Sequence, residues 1–306
     1  MSLVVNENTG AAAPTRRAAT VVCESTCCLP PDLVQRYGVE MLPIPFVFGE
    51  TTYRDGVDMT HAQFYETLVA TRTPPKTSPP SPGEYLEAWR AASRRGAGVI
   101  SVTVDSKIST LQRSARLAAD LAPEALPGVP VAVVDSLSAG MGQGFVALAA
   151  ARAIEQGLSL AEAVARAESV SRRVRMLVTL DTLDYLAKAS RIPQVAAFLG
   201  GVLAIKPIIE IAGGDIHPVA RVRSRRRSIE ALFDLARAAI PKGARVHAAV
   251  QHAQAESEAA GIEAMLRDTF DCRELYTTEF TPIMGGYCGP GLLGVAFYCE
   301  ADEDGE

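Results

Sequence analysis

Two hydroxyl-rich stretches carry the clearest chemical potential in this chain. The first is Lys76-Thr77-Ser78-Pro79-Pro80-Ser81-Pro82-Gly83. Three prolines remove backbone N–H groups and fix φ, so the segment cannot be a regular helix or a central strand. Each proline also pushes the residue before it towards extended geometry. What remains is a stiff loop bearing Thr77, Ser78 and Ser81, followed by a helix from Pro82 with Ser81 as its cap. By itself the stretch reads first as a capped helix after a rigid turn. Its second reading is an anion site, because hydroxyls and unsatisfied N–H groups at a helix start suit a carboxylate or phosphate. The second stretch, Asp105-Ser106-Lys107-Ile108-Ser109-Thr110, lies between an apolar strand and a helix and supports the same two readings.

Other chemistries lack their signatures. The four histidines, His61, His217, His247 and His252, form no H-E-x-x-H pair, and there is no G-x-S-x-G elbow. Gly140-Met141-Gly142-Gln143-Gly144 sits where a dinucleotide loop would sit but is not G-x-G-x-x-G, since position 145 is Phe. No G-x-x-x-x-G-K-[ST] phosphate loop occurs. The six cysteines, Cys23, Cys27, Cys28, Cys272, Cys288 and Cys299, show no zinc spacing and read as reduced thiols of a cytoplasmic protein. Gly285-Gly286-Tyr287-Cys288-Gly289-Pro290-Gly291 reads as a glycine-rich loop whose one large side chain, Tyr287, is a candidate ligand contact. Arg221, Arg223, Arg225, Arg226 and Arg227 form a basic run, either a solvated face or a patch for an acidic partner.

The elements that position these residues follow from hydrophobic patterning. The chain has 306 residues and is 48% hydrophobic, enough for one large or two ordinary cores. A net charge of -5 argues against nucleic acid as the main partner. The longest apolar run, Val195 to Ile205, is too short to span a membrane. Residues 1–17 are polar and read as a disordered tail. From 18 to about 165, strands alternate with helices (18–23, 98–104 and 129–134 as strands), which argues for an α/β domain with a parallel sheet covered on both faces. In such sheets ligands sit beyond the carboxyl ends of the strands, the rim that carries Ser25, Ser109 and Ser136. Thr52 to Gly56 reads as a hairpin turn. From 166 to 300 a hairpin across Ala212-Gly213-Gly214-Asp215 beside several helices reads as an α+β domain with a mixed sheet. Residues 301–306 end the chain as an acidic tail.

The order and spacing of these pieces resemble one family. They are Glu24-Ser25-Thr26, Thr52-Tyr53-Arg54-Asp55-Gly56, Thr77 to Pro82, Ser106-Lys107-Ile108-Ser109, Asp135-Ser136, Asp181 to Leu186, Ser190-Arg191-Ile192, Ile205-Lys206-Pro207-Ile208 and Gly289 to Gly294. The chain is similar to the DegV family of bacterial fatty-acid-binding proteins, which includes the acyl carrier subunit of a fatty acid kinase. The resemblance implies two α/β domains holding a long-chain fatty acid between them. It implies that Thr77 and Ser109 hold the carboxylate, with Ile108 and residues 195–203 lining the acyl slot. Glu24 stands where the family usually has Asp, and Tyr287 stands where it usually has a histidine. The resemblance further implies a non-enzymatic carrier that needs no cofactor. A separate ATP-using kinase subunit would dock on Arg191 and the arginine run, with Arg223 and Arg225 central. The competing reading is a hydrolase or transferase acting on an acyl or phosphorylated small molecule in the same cleft, which would need a base beside its nucleophile.

Overall fold

A computed structural model describes residues 16–189 and 205–300. Arg191 and the helix expected over 195–203 lie outside the described residues. The first sheet is all-parallel, with four strands in the order β2-β1-β6-β7. Its strands are β1 (Arg17–Glu24), β2 (Glu40–Leu42), β6 (Gly96–Thr103) and β7 (Val131–Asp135). The continuous apolar runs of β1 and β6 fit strands buried on both faces. On one face lie α3 (Pro82–Ser93) and α4 (Leu111–Ala125), which pack Tyr85, Trp89, Ala115 and Ala118 against Val22 and Val99. On the other lie α5 (Met141–Glu155) and α6 (Leu160–Ser171). Arg17, counted from sequence in the tail, pairs with Gly96 as the first residue of β1, and residues 1–15 lie outside the described residues. Position 165, the boundary proposed from sequence, falls within α6.

A small antiparallel sheet, β4-β3-β5, joins β3 (Pro45–Phe48), β4 (Thr51–Arg54) and β5 (Lys76–Thr77). The hairpin turn lies at Gly49 and Glu50, not at Thr52 to Gly56. Thr52, Tyr53 and Arg54 are paired strand residues, and Gly49 supplies the positive φ that the turn requires. Buried Phe46 anchors this sheet, packed edge-on against Phe64 of α2 (His61–Thr71) and stacked on Tyr53.

The second large sheet is mixed and has six strands, ordered β10-β9-β8-β13-β11-β12. These are β8 (Arg175–Thr179), β9 (Lys206–Ala212), β10 (Asp215–Val222), β11 (Arg245–His252), β12 (Asp271–Glu279) and β13 (Leu293–Cys299). The β9–β10 hairpin turns at Gly213 and Gly214, as the sequence implied. Two helices, α8 (Arg225–Ala239) and α9 (Glu256–Thr269), cover one face through Leu232, Ala236, Ile262 and Leu266. The short α7 (Asp184–Ala189) precedes the hairpin. The other face meets α5, which is therefore buried on all sides, with twelve of its 15 residues inaccessible. This explains Gly140 to Gly144, which form the start of a helix rather than a nucleotide loop. A Cβ on Gly142 would lie 2.0 Å from the Ser138 hydroxyl oxygen, and one on Gly144 3.0 Å from the Cys27 carbonyl oxygen. No helix among the described residues is long and apolar enough to cross a membrane.

The glycine-rich stretch read as a loop is mostly helical: α10 spans Pro282–Cys288 and includes Gly285, Gly286 and Tyr287. The glycines allow close approach. A Cβ on Gly285 would lie 1.9 Å from the Tyr65 hydroxyl oxygen, whereas one on Gly261 in α9 would meet nothing within 4 Å. Gly285→Ala is expected to lower stability in urea unfolding by about 1–3 kcal/mol through overpacking. Gly261→Ala is expected to be neutral or to stabilise by up to about 1 kcal/mol. Equal effects at the two sites would contradict this packing.

Candidate functional site

A pocket opens between the two large sheets, with an empty volume of about 1020 Å³ that is partly open to solvent. Its walls are apolar: Ile44 and Val104 from the first half, and Met176, Val178, Ile209, Ile211 and Leu292 from the second. Strand alternation selects them, since Ile209 and Ile211 of β9 face the pocket while Ile208 faces the α8–α9 layer. The hydroxyls come from three separate elements. Thr77 and Ser78 arrive on β5 and the proline loop, Ser109 and Thr110 precede α4, and Tyr287 is carried by α10.

Of the residues singled out from sequence, Thr77, Ile108, Ser109 and Tyr287 all line this one pocket. Thr77 is placed by pairing with Phe46, and its Oγ1 shares a hydrogen bond with the Tyr287 hydroxyl. The loop behind it ends in a capping box, in which Ser81 Oγ accepts from the Glu84 N–H and Glu84 accepts from the Ser81 N–H. The Ser114 hydroxyl of α4 donates to the Pro80 carbonyl, tying the two hydroxyl loops together. Arg223 and Arg225 lie elsewhere, at the start of α8. Arg223 is exposed. Arg225 makes a two-pronged pair with Glu258, at 2.8 and 2.9 Å, and donates to the Gly291 carbonyl, so it holds α8 to α9 and to the chain entering β13.

The expectation of open N–H groups in the second loop is corrected. The Asp105 carbonyl accepts from the Ile108 N–H at 3.0 Å and the Ser109 N–H at 3.2 Å. Its carboxylate accepts from the Lys107 N–H at 2.8 Å, and Ser109 Oγ accepts from the Leu111 N–H at 3.4 Å. Those donors are spent inside the loop, and Ser109 and Thr110 line the pocket.

Sequence reasoning missed several supports. Asp55 is buried, and its Oδ1 accepts from the Ile283 N–H at 3.3 Å, which anchors the start of the Tyr287 helix from the turn after β4. The signal was an Asp in a segment with no partner of its own. Gln143 is a polar residue in the buried, otherwise apolar first turns of α5. Its Nε2 donates to Glu24 at 2.9 Å and its Oε1 accepts from the hydroxyl of Thr26, a pocket-lining residue. Glu24 also accepts from the Tyr85 hydroxyl at 2.6 Å and the Val104 N–H at 2.8 Å. Burial pushes the Glu24 carboxyl up to about 7, against the pull of these three donors.

Three comparisons extend this picture. An apolar cavity with a few convergent polar groups is the usual design of a small-molecule pocket. The family described as uncharacterised protein, DegV family, matches residues 18–300, and the chain belongs to the DegV family. A DegV domain-containing protein of Streptomyces coelicolor is 34% identical over 281 residues, covering 91% of this chain and 98% of that one. The solved structure of DegV, a fatty acid binding protein from Bacillus subtilis, superposes with a TM-score of 0.83 at 30% identity, covering 92% of this chain and 99% of that one. A DegV family protein from Thermus thermophilus, described by its fatty acid binding, gives a TM-score of 0.83 at 29% identity over the same shares.

The Glu24 carboxyl gives a pH signature. The folded chain holds this proton up to about pH 7, whereas the unfolded carboxyl loses it near 4.5. Its contribution to stability is therefore present below about pH 4.5, declines as pH rises towards 7, and is flat above. The size is on the order of 3 kcal/mol. Glu24→Gln is expected to remove that part of the decline when urea unfolding is followed from pH 4.5 to 8. Parallel pH profiles for the variant and the parent would contradict the assignment.

Proposed function

We propose that this chain binds a long-chain fatty acid between its two halves, with the carboxylate held at the Thr77–Ser109–Tyr287 hydroxyls and the acyl chain in the apolar slot. The observation that carries the reading is the convergence of three hydroxyl-bearing elements on one otherwise apolar pocket. The fatty acid binding of the Bacillus subtilis and Thermus thermophilus relatives supports it. Neutral donors orient the headgroup and burial of methylenes supplies the affinity, each worth about 0.8 kcal/mol.

Two consequences are measurable by displacement of a fluorescent fatty acid. Across saturated acids of even length, affinity is expected to rise roughly tenfold or more per added pair of methylenes until the slot is full. Affinity independent of chain length would overturn the reading. Thr77→Ala and Ser109→Ala are each expected to weaken binding by about 5- to 20-fold, the loss of a hydrogen bond worth roughly 1–2 kcal/mol. Unchanged affinity in both would move the headgroup elsewhere.

We further infer that the chain is a carrier that presents its lipid to a separate ATP-using kinase subunit, which performs the phosphoryl transfer. The exposed arginines at the start of α8, Arg223, Arg226 and Arg227, offer the docking charge. Arg225 is engaged in the fold, so reversal at Arg223 is the informative change. Arg223→Glu is expected to abolish stimulation of a partner kinase while lipid affinity stays unchanged. Full stimulation by the variant would exclude Arg223 from the docking face.

A further inference from the structure

Asp105 is wholly buried where the chain leaves β6. It holds three consecutive N–H groups of the Ser109 loop, those of Lys107 through its carboxylate and of Ile108 and Ser109 through its carbonyl. Its own N–H donates to the Ser138 carbonyl at 2.9 Å, so the loop is pinned to the segment after β7. The second carboxylate oxygen, Oδ2, is buried with no hydrogen-bond partner among the described residues. A buried carboxylate oxygen left unpaired is costly, and protonation relieves that cost.

The charged groups around Asp105 come from three elements. Asp135 stands at the end of β7, Asp215 at the start of β10, and Lys107 on the same loop. The Lys107 ammonium is drawn to Asp215, which it meets at 2.6 Å. The β9–β10 turn closes over this corner: the Gly214 N–H donates to the Leu137 carbonyl at 3.1 Å, and a Cβ on Gly214 would lie 3.8 Å from Asp105 Oδ2. Burial pushes the Asp105 carboxyl up to about 6; the Lys107 N–H pulls it down and the Asp135 charge raises it again.

We propose that Asp105 is a positioning residue for the headgroup loop and takes up a proton from solvent when an anionic headgroup settles on Ser109. This deepens the fatty-acid reading and rests on it. The bound anion adds a negative charge beside a loop whose buried carboxylate is already half unpaired. Like charges in one site disfavour each other's ionised form, commonly by a pK unit or more. The proton neutralises the carboxyl at Oδ2, while Oδ1 and the Asp105 carbonyl oxygen keep accepting from the Lys107, Ile108 and Ser109 N–H groups and hold the loop in place. Binding is therefore tighter below neutral pH than above it.

The test is calorimetric titration of myristate into the full-length protein at pH 7 in two buffers of different ionisation enthalpy. A one-unit rise in the Asp105 pKa on binding corresponds to about 0.4 proton taken up per ligand and to roughly a fivefold fall in affinity between pH 6 and 8. Asp105→Asn keeps an acceptor for the Lys107 N–H, and is expected to bind myristate while losing both the proton uptake and that pH dependence. A residue that served only the fold would lower the melting temperature without changing the proton count. Should Asp105→Asn fail to fold, Asp105→Ser is used in the same way. Binding without proton uptake in the parent protein, or equal uptake in the variant, overturns the inference alone. Absence of myristate binding overturns the fatty-acid reading and this inference together.

Discussion

The structure depends on helix α5, an apolar helix enclosed between two β-sheets. A helix buried on every side can hide no polar group without cost, so its ends and its enclosed polar side chains must be satisfied from outside. Its first N–H, on Met141, finds Gln251 Oε1 of β11 at 2.7 Å. Gln143 reaches the other way, to Glu24, Thr26 and the Val102 carbonyl of the parallel sheet. The glycines at 142 and 144 let the neighbouring backbone and side chains close on the helix. The two halves of the chain are thereby locked to one element, and the pocket lies beside its start, where Ala139 forms part of the wall.

At the far end of the same helix the locking is ionic. Arg152 forks onto Glu274 of β12 and donates to the Tyr37 hydroxyl at 3.3 Å. Burial would raise the Glu274 carboxyl, but hydrogen bonds from His247, Arg152 and Tyr276 outweigh it and hold it down at about 2. An ion pair of this kind, partly buried and multiply hydrogen-bonded, fixes relative placement more than it adds net stability. The contrast with the pocket is physical. There the polar groups are hydroxyls, which can meet a ligand without first breaking an ion pair, and the walls offer only dispersion and water exclusion.

Much of this was legible in the sequence. The parallel sheet was visible in the apolar runs of β1 and β6, the hairpin in Gly213-Gly214, and the capped helix in Ser81-Pro82-Gly83-Glu84. Thr77 and Ser109 were legible as candidates because prolines and strand ends left hydroxyls with no secondary structure to serve. Other features were hidden because they depend on contacts distant in sequence. Glycine runs mark close packing as readily as loops, and only the positions of Ser138, Cys27 and Tyr65 show that 142, 144 and 285 are of the packing kind. Asp55 does lie in a turn, but its anchoring role was hidden because its partner, the Ile283 N–H, lies 228 residues away. The second loop is a different case: Asp105 heads the loop and takes its N–H groups two to four residues on, a local turn that an Asp at this position signals.

The central claim is that the pocket between the sheets is a lipid site. Native mass spectrometry of the gently purified protein, followed by solvent extraction of whatever is bound, tests it most directly. The account predicts a mass increment of one long-chain fatty acid in near-stoichiometric amount, lost in a Thr77→Ala, Ser109→Ala double variant that still folds. A protein that carries no lipid and gains none when long-chain fatty acid is added before desalting would contradict it.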